Sequence, residues 1–217
     1  MKTSLGGCFE VLLVCLMIAG CADDKVYTQV SQGESEQDKK VNDFLHGKAY
    51  SWRDMNVPAA DGKLLYDIII KNNYKNAVEI GTSTGHSGIW MAWALSKTGG
   101  KLITIEIDER RYKEALANFE KAGVAKYVDA RLADAHELVP TLSIPIDFVF
   151  SDADKDWYIN YFKALDPKLI VGGCYTSHNI GMYGVREFYE YVSKLPNYIT
   201  TVDNRGGGMS ISYKTAR

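Results

Sequence analysis

The stretch Val78-Glu79-Ile80-Gly81-Thr82-Ser83-Thr84-Gly85-His86-Ser87-Gly88 reads as a buried strand, a turn of small residues and the start of a helix near Ile89. Glycine in such a turn reaches backbone angles closed to other residues and lets a ligand approach the main chain. The helix behind it offers unpaired N–H groups and the positive end of a dipole. Phosphate-binding and dinucleotide-binding loops share this strand–turn–helix pattern. The spacing Gly81, Gly85, Gly88 does not fit G-x-G-x-x-G, and no Lys-Ser/Thr follows, which excludes a P-loop. The next apolar segment, ending at Glu106, places an acid about 20–30 residues further on, the spacing of a ribose-binding carboxylate.

Outward from this loop the chain alternates regularly. Apolar runs predict strands at Ala77–Ile80, Leu102–Glu106, Tyr127–Leu132, Asp147–Phe150 and Leu169–Gly172. Helical patterns predict Lys39–His46, Ala59–Asn73, Ile89–Ser96, Glu109–Ala122, Ala135–Leu142, Trp157–Leu165 and Val185–Leu195. Two final strands, Tyr198–Asp203 and Met209–Tyr213, are joined through Gly206-Gly207-Gly208 and would close the sheet as an antiparallel hairpin. The expectation is an α/β fold: a seven-stranded, mostly parallel, doubly wound sheet with helices on both faces. Ligands in such sheets bind outside the carboxyl ends of the strands. That rule gathers Glu79, Gly81, Glu106, Asp134, Asp152 and His178-Asn179 on one rim.

Composition suits one ordinary domain: 46% hydrophobic and 24% charged residues in 217, with a net charge of −2. Basic residues are scattered and give no footprint for nucleic acid. The N-terminus differs. Val11 to Ala19 is too short an apolar run to span a bilayer, and it ends in Ile18-Ala19-Gly20-Cys21, which resembles a bacterial lipobox. The expectation is a lipoprotein signal over residues 1–21 with Cys21 as the membrane anchor, a polar tether over 22–38, and the domain over 39–217. The alternative is a cytoplasmic protein with a mis-assigned start or a loose tail. Only Cys174 lies in the body, so no disulfide framework reports the redox compartment.

Further segments sharpen the chemistry. Met55-Asn56-Val57-Pro58, Phe-Ser-Asp-Ala-Asp-Lys-Asp-Trp-Tyr from Phe150 to Tyr158, and His178-Asn179 follow in order. With the loop entered by Glu79, they make the chain from about Ser51 onward resemble the cation-dependent O-methyltransferases of the catechol and caffeoyl-CoA type. The resemblance implies a Rossmann-like class I methyltransferase fold, S-adenosylmethionine as methyl donor and a phenolic or catechol acceptor, with a homodimer as a further expectation. It implies donor contacts from the backbone of Val57, from Glu79, Gly81 and Ser83 in the loop, and from Ser87 toward the donor's carboxylate. Glu106 would take the ribose hydroxyls, Asp134-Ala135 the adenine side, and Asp152 would border the donor. His136 beside them reads equally as a surface residue. A divalent cation would lower the pKa of the attacking hydroxyl and fix its oxygen. Its implied ligands fall on Asp152, His178 and Asn179, and Lys155 would take the hydroxyl proton. Asp154 reads as a helix N-cap. Trp52-Arg53 and Tyr183 are expected to wall the acceptor pocket, and Asp203 falls roughly where the animal enzymes place an acid near the second hydroxyl.

One residue departs from the family's Asp-Asn pair: this chain has His178-Asn179. An imidazole removes an oxygen ligand and a negative charge, so magnesium gives way to manganese, zinc or a similar ion, or the metal is lost and His178 turns to acid–base work. The leader adds a conflict, since the methyl donor is made inside the cell. A lipid-anchored small-molecule binding protein on a degenerate methyltransferase scaffold is the alternative function.

Overall fold

The computed structural model describes residues 35–52 and 54–217. The Cys21 leader, most of the expected tether and Arg53 lie outside the described residues. The chain runs α1 (Glu36–Gly47), α2 (Ala59–Asn72), β1 (Asn76–Ile80), α3 (His86–Thr98), β2 (Lys101–Glu106), α4 (Glu109–Ala122), β3 (Val128–Leu132) and α5 (Ala135–Thr141). It continues with β4 (Ile146–Ser151), α6 (Tyr158–Leu165), β5 (Leu169–His178), α7 (Tyr183–Val192), β6 (Tyr198–Asp203) and β7 (Met209–Lys214). The seven strands form one sheet in the order β3-β2-β1-β4-β5-β7-β6. The β3-β2-β1-β4-β5 pairings are parallel, while β7 is antiparallel to both β5 and β6. This is the expected doubly wound sheet with its closing hairpin.

Side-chain alternation along the strands places apolar groups on both faces. Val78, Ile80, Ile103 and Val149 meet Val139, Phe162 and Phe188 from α5, α6 and α7 on one side. Ala77, Leu102, Phe148 and Phe150 meet Leu65, Ile69, Met91 and Leu95 from α2 and α3 on the other. Trp90 and Trp93 of α3 are fully buried against α1 and α4. Burying both faces fixes the register, and the register aligns the strand ends at one rim.

Two boundaries differ from the sequence reading. Residues 36–38, expected in the tether, open α1. Ser35 and Asp38 form a reciprocal capping box, and the Asp38 carboxylate accepts from Trp93 Nε1 (2.6 Å) and Lys97 Nζ, which pins the helix to α3. The second difference is β5, expected to stop at Gly172 but running on to His178. Gly172 (φ +84°) marks a bulge: Leu169 pairs with Ile146 and Cys174 with Phe148. The small polar Thr176 and Ser177 then continue the strand, wholly buried. Among the described residues no helix is long and apolar enough to cross a membrane.

Candidate functional site

The glycine loop leaves β1 through Gly81, whose φ of +98° is open to glycine and strained for other residues. A Cβ there would overlap the backbone carbonyl of Asp152. The loop is tied to its neighbours: the N–H groups of Gly81 and Thr82 donate to the Ile105 carbonyl (3.0 and 3.1 Å). Across it lies the segment 54–57. Ser83 Oγ donates to the Asp54 carbonyl (2.5 Å), Asn56 Nδ2 to Thr84 Oγ1 (2.8 Å), and the Val57 carbonyl meets His86 Nδ1 at 2.8 Å. Asp54 is in turn gripped by Arg111 (2.8 Å) and Arg110, whose hydrogen bonds hold its carboxyl down at about 2. Asp54 and Met55 both take positive φ, 71° and 60°, so this strap is held in shape by its ties.

Beneath strap and loop opens a cavity of about 520 Å³, the size of small-molecule sites generally. Gly81, Ser83, Glu106, Asp134, Ala135 and His136 line one half, and Asp152, Lys155, His178 and Asn179 the other, with Met55, Tyr161 and Met182 among the apolar walls. Glu106 is nearly buried, and its carboxylate accepts from the N–H groups of Ser83 (2.7 Å), Ile107 (3.1 Å) and Asp108 (2.9 Å). Those three donors fix it at the strand end, and a carboxylate has lone pairs left for two hydroxyls. Asp134 caps α5 through His136 N (2.8 Å). His136 stacks on Trp157 at 4.0 Å and stands within 3.2 Å of Asp154, so it belongs to the cavity wall. Asp154 does cap the following turn, accepting from Asp156 N.

Three residues named from the sequence stand behind this wall. Val57 is buried, its carbonyl committed to His86. Ser87 Oγ donates to Glu79 Oε1 (2.5 Å), and Glu79 Oε2 accepts from Thr104 (2.6 Å). Glu79 is fully buried, and burial pushes its carboxyl up to about 8 despite those two hydrogen bonds. The folded chain therefore keeps a proton that the unfolded chain loses near 4.5, so stability from this group is complete at low pH and lost by about pH 8. Glu79→Gln, neutral at every pH, should remove that loss. In denaturant titrations at pH 5 and pH 9, the wild type should lose more stability than the variant, by on the order of a few kcal/mol. Equal losses would show that Glu79 is ionised in the fold.

The other half of the cavity is a row of charged groups. Lys155 Nζ donates to Asp152 Oδ1 and to the Tyr158 hydroxyl (3.0 Å). The other Asp152 oxygen lies 3.2 Å from His178 Nδ1, and His178 Nε2 lies 2.9 Å from Asp61 Oδ2. The Nδ1 contact is at ion-pair range without hydrogen-bond alignment. Burial alone would lower the His178 pKa, but the carboxylates of Asp152 and Asp61 raise it to about 9. Asp61, in the first turn of α2 and 1% exposed, was not read from the sequence as a site residue. It also accepts from Gly207 N (2.6 Å). A Cβ on Gly206 would overlap the Asp61 carboxylate and one on Gly207 the His178 ring, so the glycine turn is a close-fitting cover.

These contacts test the expected cation. Both ring nitrogens of His178 face carboxylates, Lys155 occupies the remaining oxygen of Asp152, and Asn179 sits at φ +60° on the rim. Among the described residues no group of three His, Cys, Asp or Glu side chains is arranged to hold a metal. The residues as placed do not fit a divalent ion. The acceptor walls are also corrected. Trp52 packs on His86 (4.6 Å), Tyr183 is 77% exposed, and Asp203 pairs with Arg205 (2.7 Å). Met55 and Met182 line the cavity in their stead.

Comparison with known proteins points one way. A family model described as O-methyltransferase matches residues 29–187. Caffeoyl-CoA O-methyltransferase 1 of Arabidopsis thaliana is 34% identical over 152 residues, covering 67% of this chain and 58% of that protein. A catechol O-methyltransferase of Niastella koreensis is 38% identical over 113 residues, covering 50% of this chain and 51% of the relative. The matches thus span less than two thirds of these relatives' length. Among solved structures, the O-methyltransferase TomG from Streptomyces achromogenes, in complex with SAM, superposes with a TM-score of 0.70 at 27% identity, covering 89% of this chain and 96% of that one.

Proposed function

The chain belongs to the O-methyltransferase family, and on that premise we propose that it methylates a hydroxyl of a catechol-like or other small phenolic acceptor, with S-adenosylmethionine as the donor. The observation that carries this reading is one cavity holding two halves: a backbone-held carboxylate beside a glycine loop, and an Asp–Lys pair facing it. S-adenosylmethionine supplies a methyl group on a sulfonium, which leaves to the acceptor oxygen as the S–C bond breaks toward sulfur.

Glu106 would hold the ribose diol, the Gly81–Ser83 backbone the amino-acid end, and Asp134-Ala135 with His136 the adenine edge. Lys155 would take the hydroxyl proton while the oxygen bonds to carbon, and Asp152 beside it would stabilise the ammonium that forms. Met55, Tyr161 and Met182 would seat the aromatic ring and exclude water. No step runs through a metal.

Two measurements decide this reading. The purified protein should bind S-adenosylmethionine by calorimetry and add one methyl group to catechol by mass spectrometry; no binding and no product would refute it. Glu106→Ala should weaken donor binding by about 1–3 kcal/mol, the cost of a lost charged hydrogen bond, or roughly 5- to 150-fold in Kd. Unchanged affinity would remove Glu106 from the ribose.

A further inference from the structure

We propose that this chain works without a divalent cation, the Asp61–His178–Asp152 row standing where the ion would, with Asp61 and His178 as positioning residues for the Asp152–Lys155 pair. The inference rests on the methyltransferase reading and goes beyond it.

Two observations carry it. The first is donor supply. A magnesium ion wants near-octahedral oxygen ligation, much of it from water. Here the Asp152 oxygens face Lys155 and His178, and both His178 nitrogens face carboxylates. The second is space. The Gly206-Gly207 backbone lies so close over Asp61 and the His178 ring that even a methyl group does not fit, which leaves no room on that side for a hydration shell. In this arrangement Asp61 anchors one nitrogen of His178, the other nitrogen stands 3.2 Å from the Asp152 carboxylate, and Asp152 holds Lys155 at the cavity wall. A group that orients a metal ligand contributes about 10- to 100-fold, and the same scale is expected for Asp61 acting through His178.

The test uses the full chain, with manganese followed by its electron paramagnetic resonance signal and S-adenosylhomocysteine binding by calorimetry. The wild type should leave manganese free and methylate catechol at the same rate in chelator as in magnesium. His178→Asp should acquire saturable manganese binding. Asp61→Asn should lower kcat about 10- to 100-fold with the donor KM unchanged, and Asp61→Glu should recover part of the loss. Saturable manganese binding by the wild type that Asp152→Asn abolishes, with S-adenosylhomocysteine binding intact, would overturn the proposal alone. Absence of S-adenosylhomocysteine binding would overturn the methyltransferase reading and the proposal with it. If His178→Asp does not fold, the wild-type manganese titration decides by itself.

Discussion

Lys155→Ala is expected to lower turnover by roughly 10²- to 10⁴-fold, the usual worth of a general base, while donor affinity stays nearly unchanged. A phenol oxygen becomes a competent nucleophile as its proton departs, so the group that takes the proton acts in the transition state. Loss of such an interaction lowers kcat and kcat/KM together. Lys155 lines the cavity, touches Asp152 and lies 3.0 Å from the Tyr158 hydroxyl, the position on which the proposed base role relies. Lys155→Arg separates charge from proton transfer, because a guanidinium keeps its charge but does not take up a further proton. It should stay as slow as the alanine variant. Full turnover in either variant would move the deprotonation to another residue, with His178 next in line by position.

The second large effect is expected at Gly81. Gly81→Ala should cost about 2–4 kcal/mol of stability, combining a left-handed backbone with overpacking at a closed site. The added methyl would meet the Asp152 carbonyl, in the segment just after β4 that carries Asp152 and Lys155. The strain therefore falls on the joint between donor half and acceptor half. Denaturant titration should show the lost stability, and calorimetry should show weaker donor binding. A variant as stable as the parent would mean that the loop moves away freely, contrary to its ties to Ile105.

Much of this site was legible because its signals are local. The Gly81–Gly88 turn, Glu106 at a strand end and the run from Asp152 to Lys155 each announce themselves within a few residues, and the parallel sheet delivers them to one rim. Asp61 sent no such signal. It lies in the first turn of an amphipathic helix, where an acid reads as an ordinary favourable charge, and its partner His178 is 117 residues away. The hint lay in Gly206-Gly207-Gly208, more glycine than a hairpin turn needs, with two of the three placed where a side chain would strike the Asp61–His178 pair. The length of β5 was hidden for a different reason: Gly172 looks like a terminus, and Thr176 and Ser177 lack the apolar pattern that marks a buried strand. The start of α1 was readable from its Ser-x-x-Asp capping box and was obscured by the polar composition around it.

The glycine cover also constrains how this chain can change over time. Position 178 cannot drift by itself, because its ring is matched to an acid from α2 and to a bare backbone from the β6–β7 turn. A carboxylate at 178 would stand beside the Asp61 acid beneath the glycine turn, so the added charge is felt at 61, 206 and 207 unless a cation entering from the cavity side offsets it. The four positions form one contact unit scattered through the chain, so a substitution at any one of them is felt by the other three.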